Sequence, residues 1–342
     1  MKKYITFGEL MLRLSPPRGE VFLQTPGFVA TFGGAEANVA VALANFGEET
    51  ALVTVLPDNA LGDAAIRELR GFAVDVSKIK RGGDRIGVYY AEAGVAMRPS
   101  KVIYDRAGSA ITTVGEGDFD WREILAGASW FHTTGITPAI SSGAAAATLA
   151  AVRTAGAMGV KVSLDLNYRR KLWKWGKTPG EVMPEIVKHV DVLIANEEDC
   201  QKCLGIDVDV DVCAGSLDTK IYEKLAAEVM RRFPNITHLA VSLRESISAD
   251  WNNWSLIMAT RNGFHQSKKY EIRCIVDRIG GGDSFASGLI WGLNHTESPA
   301  EALEFAAAAS ALKHTIYGDY NRIGVADVKN LAAGDASGRV QR

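Results

Sequence analysis

Segments typical of strands and of helices alternate regularly over the second half of the chain, and this alternation constrains the fold more than any other feature. Short apolar strands separated by helices of about ten or more residues are typical of a parallel sheet with helices on both faces. We therefore predict an α/β protein with a mostly parallel sheet in a three-layer α/β/α arrangement. The predicted strands are 129–133, 160–166, 192–195 and 238–243, and the predicted helices are 142–158, 179–189, 218–233, 283–293 and 299–317.

The first third of the chain extends this pattern but adds two stretches of another kind. The stretches 13–31 and 85–106 carry short apolar runs with glycine and proline between them and no helical period, which is typical of strands. We expect them to form a small separate sheet that covers the main domain as a lid. The alternation itself continues with a strand at 4–7, a helix at 35–46, a strand at 51–56 and a helix at 63–70.

A small sheet has exposed edges and one apolar face, so it needs a partner to cover it. We therefore expect a homodimer, or a higher homo-oligomer, joined through the lids. The domain organisation that follows is one domain over 1–331 with two lid insertions, and a tail at 332–342. The residues expected on the apolar face are Val88, Tyr90, Val102 and Tyr104.

Composition and charge exclude several classes of protein. The 342 residues contain 38 Lys and Arg against 40 Asp and Glu, a net charge of −2, which does not suit a nucleic-acid or membrane-surface binder. We expect no secretory leader, and no apolar run reaches the roughly 18 residues needed to span a membrane. Four cysteines are too few for a disulfide framework. We expect a cytoplasmic protein with small-molecule partners.

Three consecutive glycines, Gly280, Gly281 and Gly282, precede a predicted helix, and Asp283 stands in its first turn. The backbone N–H groups of such a turn can approach an anion closely, and the helix N-terminus adds positive partial charge. A carboxylate beside a bound phosphate can accept the proton of a hydroxyl, so the segment suits phosphoryl transfer. A glycine-rich turn capped by aspartate, without catalytic function, explains the same residues equally well. Matches to the two common nucleotide-binding glycine patterns are incomplete.

The order of these segments resembles the ribokinase-like (PfkB) carbohydrate kinases, from the first strand to about residue 331. The stretch 33–47, which begins with two glycines, resembles the first signature of that family. The stretch 277–283 resembles the second, D-T-x-G-A-G-D. The resemblance implies a ribokinase-like fold with ATP as phosphoryl donor and Mg²⁺ beside it. The departures from the family pattern are Pro57, Arg278 and Gly281.

Further segments are similar to the 2-keto-3-deoxygluconate kinases of that family, namely 8–14, 104–110, 132–138 and 165–173. This likeness implies transfer to O6 of the sugar acid, with Asp283 as general base and Gly280, Gly281 and Gly282 as anion hole. The implied sugar-acid contacts are Gly34, Tyr90, Tyr104, Arg106, Arg169 and Asp283. The implied ATP contacts are Asn167, Asn196, Ser242, Arg244, Gly280 and Gly282.

Metal and adenine contacts are less well defined by the resemblance. It implies a monovalent cation such as K⁺ near Asp277. The N-x-x-E motif of the family ends here in Asp199 instead of glutamate. The identity of the Mg²⁺ ligands therefore stays open, and Glu198 is the candidate to replace the missing glutamate. The stretch 242–246 replaces a glycine-rich nucleotide turn, so adenine contacts are not carried over.

Arg106 and Arg169 support an acidic substrate on chemical grounds as well. Both follow predicted strands, and a guanidinium binds a carboxylate through two parallel hydrogen bonds. Each arginine taken alone is at least as well explained by a surface ion pair. The open alternatives are another PfkB sugar kinase, such as a fructokinase or a kinase of a different keto-deoxy acid, and a catalytically silent sugar-acid-binding protein.

Overall fold

The computed structural model describes residues 2–207, 219–336 and 338. Residue 218, with which one predicted helix begins, and part of the predicted tail 332–342 lie outside the described residues. The strands, numbered in chain order, are β1 (Lys3–Phe7), β2 (Met11–Ser15), β3 (Val29–Gly33), β4 (Glu49–Leu56), β5 (Ile79–Arg81), β6 (Gly87–Glu92), β7 (Lys101–Asp105), β8 (Trp130–Thr134), β9 (Lys161–Asp165), β10 (Val192–Ile194), β11 (His238–Ser248), β12 (Trp251–Thr260), β13 (Gly263–Gln266) and β14 (Tyr270–Ile272).

The main sheet has the strand order β13–β12–β11–β10–β9–β8–β1–β4–β5, with β14 also paired to β12. All neighbours from β11 to β5 are parallel, whereas β12 pairs antiparallel with β11, β13 and β14. The predicted mostly parallel sheet is therefore confirmed. The antiparallel strands extend one edge of it.

Helices cover both faces of the main sheet, which gives the predicted three layers. The helices between residues 142 and 232 pack on one face around Phe131, Leu164 and Leu193. On the other face the helix at 35–45 and the helices between residues 281 and 332 pack around Tyr4 and Leu256. Among the described helices, none has the length and apolar character needed to cross a membrane. The helices are α1 (Ala35–Asn45), α2 (Ala60–Gly71), α3 (Trp121–Ile124), α4 (Ile136–Ile140), α5 (Ser142–Ala157), α6 (Pro179–Val187), α7 (Glu197–Leu204), α8 (Thr219–Arg232), α9 (Gly281–His295), α10 (Pro299–Lys313) and α11 (Val325–Ala332).

A separate four-stranded sheet has the order β3–β2–β6–β7, which confirms the predicted small sheet. The prediction that Val88, Tyr90, Val102 and Tyr104 share one face was wrong. In the antiparallel register Tyr90 lies opposite Ile103, whereas Tyr104 lies opposite Tyr89. Because neighbouring residues of a strand point to opposite faces, Val88 and Tyr90 lie on the face opposite to Val102 and Tyr104.

The carboxyl ends of β1, β8, β9 and β10 meet at one edge of the main sheet. Open α/β sheets bind ligands at this edge. The N-termini of α1 and α9 reach the same edge, where Asn38 of α1 is hydrogen-bonded to Asp283 of α9. The small sheet follows directly from β1, through the short link Gly8–Leu10, and therefore lies beside this edge.

Candidate active site

A cleft of about 990 Å³ lies between the small sheet and the carboxyl edge of the main sheet. Residues of β6 and β7 line one wall, and the N-termini of α1 and α9 line the other. The cleft brings together most of the predicted site residues. They are Gly34, Tyr104, Arg106, Asn167, Arg169, Asn196, Ser242, Arg244, Gly280, Gly282 and Asp283.

The glycine turn at the start of α9 forms a cradle of backbone N–H groups in this cleft. Gly280 is left-handed with φ +85°, and a Cβ there would lie 2.0 Å from the carbonyl oxygen of Asp319, so only glycine fits. A Cβ on Gly282 would meet no atom within 4 Å, because this residue faces the open cleft. Among the described residues, the N–H groups of Gly282 and Asp283 have no backbone partner. They are free to bind an anion.

Asp283 is held beside this cradle by Asn38, a residue of α1. The Nδ2 of Asn38 donates to Oδ2 of Asp283 at 2.6 Å, and its Oδ1 accepts from the N–H of Gly34 at 3.3 Å. Burial raises the pKa of Asp283 to about 7, and the charges of Asp319 and Glu36 act in the same direction against the Asn38 hydrogen bond. A carboxylate with a pKa near neutrality is suited to accept and release a proton.

Glu36 fixes the N-terminus of α1 against the main sheet. Its Oε1 accepts hydrogen bonds from the N–H of Thr134 at 3.0 Å and from the hydroxyls of Thr134 at 2.7 Å and Thr137 at 2.8 Å. Burial nevertheless raises the pKa of this carboxyl group. Because α1 carries Asn38, the anchoring of Glu36 also positions Asp283.

The two predicted arginines differ in their environments. Arg106 is buried and forms an ion pair with Glu9, whose other oxygen accepts from the Ser109 hydroxyl at 2.5 Å. Arg169 is exposed in the cleft and donates to the carbonyl of Tyr168 at 3.3 Å. No described carboxylate lies within ion-pair distance of it, but its charge acts to lower the pKa of Asp165, Asp199 and Asp283. Arg169 is therefore the cation more readily available to an acidic ligand.

The end of the cleft next to β9 and α7 contains acidic as well as basic side chains. Asp165 ends β9, and burial together with the charges of Asp199 and Asp283 raises its pKa well above the ordinary value. Both oxygens of Asp199 accept backbone N–H groups, from Tyr168 at 2.9 Å and Asn196 at 3.1 Å. Mg²⁺ prefers oxygen ligands from one or two carboxylates plus phosphates. Asp165 and Asp199 fit this chemistry, whereas Glu198 is exposed on α7 outside the cleft lining.

The environment of Asp277 does not fit the cation expected there. One carboxylate oxygen accepts the N–H of Ile279 at 3.0 Å, and the other binds the Arg13 guanidinium at 2.7 Å and the N–H of Gly318 at 3.1 Å. The backbone carbonyl accepts from Nζ of Lys313 at 3.3 Å. Groups of the protein therefore bind all three oxygens of Asp277, and two of these oxygens are bound by the cations Arg13 and Lys313.

Three predicted residues do not reach the cleft surface. Asp277 lies in the interior, and Gly281 is buried against the ring of His314. Tyr90 packs edge-to-face on Phe28, on the face of the small sheet away from the cleft. Tyr89 lines the cleft in its place and donates to Oδ2 of Asp319 at 2.5 Å.

Several residues of the site had no individual signal in the sequence. The clearest signal that could have been used is that Glu36 and Asn38 are polar residues at the start of an otherwise apolar helix. The others depend on contacts between distant segments. The cleft residues that were missed are Glu9, Glu36, Asn38, Tyr89, Asp165, Arg278 and Asp319.

Comparison with known proteins identifies the class of chemistry. A family model described as pfkB family carbohydrate kinase matches residues 1–323. The chain belongs to this family. The predicted resemblance is therefore confirmed, and this pfkB kinase is a phosphotransferase that acts on a hydroxyl group.

Individual relatives cover nearly the whole of this pfkB kinase. A crystal structure of 2-dehydro-3-deoxygluconokinase from Thermotoga maritima is 48% identical with a TM-score of 0.92, over 98% of this chain and 100% of the other. A 2-dehydro-3-deoxygalactonokinase from Haloferax volcanii is 34% identical over 334 residues, which is 98% of each chain. A 2-dehydro-3-deoxygluconokinase from Thermoproteus tenax is 28% identical over 323 residues, covering 90% of this chain and 89% of the relative.

Proposed function

We propose that this protein transfers the γ-phosphoryl group of ATP to O6 of 2-keto-3-deoxygluconate, also called 2-dehydro-3-deoxygluconate. The observation that carries this proposal is the position of Asp283, which stands beside the N–H cradle in a cleft that also contains the exposed cation Arg169. The names of the relatives above support a keto-deoxy sugar acid as the substrate class. The Haloferax volcanii relative is named for the galacto epimer, so that epimer is the second candidate substrate.

In the proposed mechanism Asp283 is the general base. Its carboxylate accepts the proton of the substrate hydroxyl as that oxygen attacks the γ-phosphorus. The bond between the γ-phosphorus and the β,γ-bridging oxygen breaks, and ADP leaves with the electron pair. The N–H groups of Gly282 and Asp283 stabilise the negative charge that develops on the transferred group. Mg²⁺, held by Asp165 and Asp199 together with ATP, would neutralise phosphate charge.

The remaining cleft residues divide between the two substrates. Tyr104, Arg106 and Arg169 would bind the sugar acid, together with Gly34. The ATP side would comprise Asn167, Asn196, Ser242 and Arg244. The small sheet would then act as a lid that excludes water, which a kinase needs in order to avoid hydrolysing ATP.

The substrate class is tested by Arg169→Ala. We expect kcat/KM for 2-keto-3-deoxygluconate to fall by about 10- to 150-fold, because a hydrogen bond to a charged group contributes roughly 1.5–3 kcal/mol. The rates are compared at about pH 9, because the Arg169 charge also acts to lower the pKa of Asp283. At that pH the value for a neutral sugar such as fructose should hardly change, since fructose has no carboxylate. Steady-state rates of ADP formation measure both. The matched control is Arg170→Ala, which removes the exposed neighbouring arginine. Equal losses for both sugars would assign Arg169 to ATP binding or structure instead.

Arg106→Ala should behave differently, because it leaves the buried Glu9 carboxylate without its ion-pair partner. Breaking a buried ion pair from one side costs about 3–5 kcal/mol. The loss of stability should therefore accompany a loss of activity toward every sugar. For this reason Arg169, and not Arg106, decides the substrate class.

The pH dependence of kcat/KM tests the proton acceptor. A general base with a pKa of about 7 must be ionised, so we expect kcat/KM to fall as the pH drops below that value. Asn38→Ala removes the hydrogen bond that favours the Asp283 carboxylate, and should move this acidic limb up by about one pH unit. Rates from about pH 5 to about pH 9 measure the shift. A slower variant with an unmoved limb would show that Asn38 does not act through Asp283.

The outer face of the small sheet supports the proposal of a homodimer. Leu14, Val88 and Tyr90 lie on this face half-buried, and Ile103 is 56% exposed. A second copy would cover them. We expect Ile103→Asp to give a monomer in light scattering at micromolar concentration, whereas Leu61→Asp on α2, a site 46% exposed, should leave the dimer intact. A wild-type protein that is monomeric and fully active would contradict the proposal.

A further inference from the structure

A balanced cluster of charged side chains is buried next to the glycine turn. Arg13 is 1% exposed, and its guanidinium binds Asp277 at 2.7 Å and Asp319 at 2.8 Å. Lys313 at the end of α10 is 0% exposed, and its Nζ donates to the carbonyl oxygens of Asp277 and Ile316, each at 3.3 Å. Two cations thus balance two carboxylates in the interior of the protein.

This cluster is packed against the anion cradle through the chain that follows α10. A Cβ on Gly280 would lie 2.0 Å from the carbonyl oxygen of Asp319, and a Cβ on Gly281 would lie 2.7 Å from the ring of His314. The carbonyl of His314 accepts the N–H of Val276 at 2.8 Å. The Lys313 ammonium is therefore held in the same packed unit that shapes the phosphate-binding turn.

The ligands of Lys313 are of the kind that a monovalent cation takes. They are the backbone carbonyl oxygens of Asp277 and Ile316. Burial lowers the pKa of Lys313, and the charges of Asp277 and Asp319 oppose this effect and favour its ammonium form. An ammonium group is itself a compact charge of +1. Adding K⁺ would give the cluster of Arg13, Lys313, Asp277 and Asp319 a net positive charge, and the tethered Lys313 could not diffuse away to make room for it.

We propose that Lys313, supported by Arg13, is a resident cation that replaces K⁺ behind the phosphate cradle, so that this kinase needs no monovalent cation. The inference depends on carbohydrate kinase activity but not on which sugar acid is the substrate. It also explains why Asp277, where the family resemblance implies a cation, is bound by protein side chains instead.

The consequence is that removing the ammonium should create a requirement for K⁺. Lys313→Met keeps most of the side-chain volume but leaves the cluster with a net negative charge and two carbonyl oxygens unpaired. These oxygens, now facing an uncompensated carboxylate charge, would form a site for K⁺. Lys313→Gln provides a second variant that also removes the charge.

The first experiment compares rates of ATP consumption in KCl and in tetramethylammonium chloride at equal ionic strength and constant Mg²⁺. The wild-type rates should agree within about twofold. Lys313→Met should be about tenfold or more slower in tetramethylammonium chloride and should recover most of this loss in KCl. The control is Lys188→Met, which removes an exposed lysine paired with Glu185. Its rate of ATP consumption should be the same in both salts.

The second experiment is independent of catalysis. The unfolding temperature of Lys313→Met should rise with KCl but not with tetramethylammonium chloride, while that of the wild-type protein should respond equally to both. A wild-type enzyme stimulated tenfold by K⁺ would overturn the proposal even if neither variant folds. So would folded Lys313 variants that K⁺ neither activates nor stabilises. Because unfolding is measured without substrate, a wrong assignment of the sugar acid would leave this result unaffected.

Discussion

Asp283→Asn is expected to lower kcat by about 10²–10⁴-fold, the usual contribution of a positioned proton acceptor. In the wild-type protein Nδ2 of Asn38 donates to Asp283 at 2.6 Å. Asparagine has the same size as aspartate, and its carbonyl oxygen can still accept this hydrogen bond. The cradle and both substrate pockets should therefore persist. Steady-state kcat and a binding measurement for ATP should separate the lost proton transfer from any loss of affinity.

The stability of this variant provides an independent check with a defined sign. Because the folded state raises the pKa of Asp283 to about 7, the wild-type protein loses stability as the pH rises from the ordinary carboxyl pKa toward that value. Asparagine does not ionise, so the variant should unfold at the same or a higher temperature at about pH 8.

Asp63→Asn is the matched control for Asp283→Asn. Asp63 stands in the first turn of α2, as Asp283 stands in the first turn of α9, but its carboxylate binds Arg81 on the surface. Its replacement should leave kcat unchanged. If Asp283→Asn retained half of the wild-type kcat, the assignment of the general base would be wrong.

The start of α9 could be predicted from the sequence because its features are local. Three glycines and an aspartate in succession define a turn, a helix N-terminus and a carboxylate without reference to any other segment. The structure has α9 begin at Gly281. The parallel sheet could be predicted for a similar reason, since each strand and each helix carries its own apolar pattern.

Pairing between distant segments could not be predicted in this way. Whether Tyr89 or Tyr90 faces the cleft depends on the register of β6 against β2 and β7, and a shift by one residue exchanges the two faces. The ion pair of Arg13 with Asp277 joins residues from opposite ends of the chain. The motif around Asp277 implied a cation at this residue, but it carried no sign that Arg13 and Lys313, from other segments, bind Asp277.

The antiparallel edge of the main sheet was also missed. The strand predicted at 238–243 continues as β11 to Ser248 and turns back at once into β12. A hairpin of this kind depends on the turn between the strands. The family pattern has a glycine-rich turn at the stretch 242–246. In this protein the chain stays extended there as part of β11, and Ser242 and Arg244 line the cleft.

Gly282→Val is expected to lower kcat/KM by at least about 10²-fold while the fold is retained. A Cβ at this position meets no atom within 4 Å, so the added side chain projects into the cleft, where the transferred phosphoryl group would lie. The free N–H of Gly282 would then no longer be accessible to that group. Gly280 and Gly281 are unsuitable for this test, because a Cβ on either would collide with the segment around Asp319 and His314.

Gly180→Val is the matched control, because the two glycines occupy equivalent places in their helices. Gly180 is the second residue of α6, Gly282 is the second residue of α9, and a Cβ on Gly180 also meets nothing within 4 Å. Any general effect of valine near a helix start is therefore shared, and the two variants should have similar unfolding temperatures. Only Gly282→Val should lose activity. If both variants kept wild-type kcat/KM, the phosphoryl group would have to bind away from the start of α9.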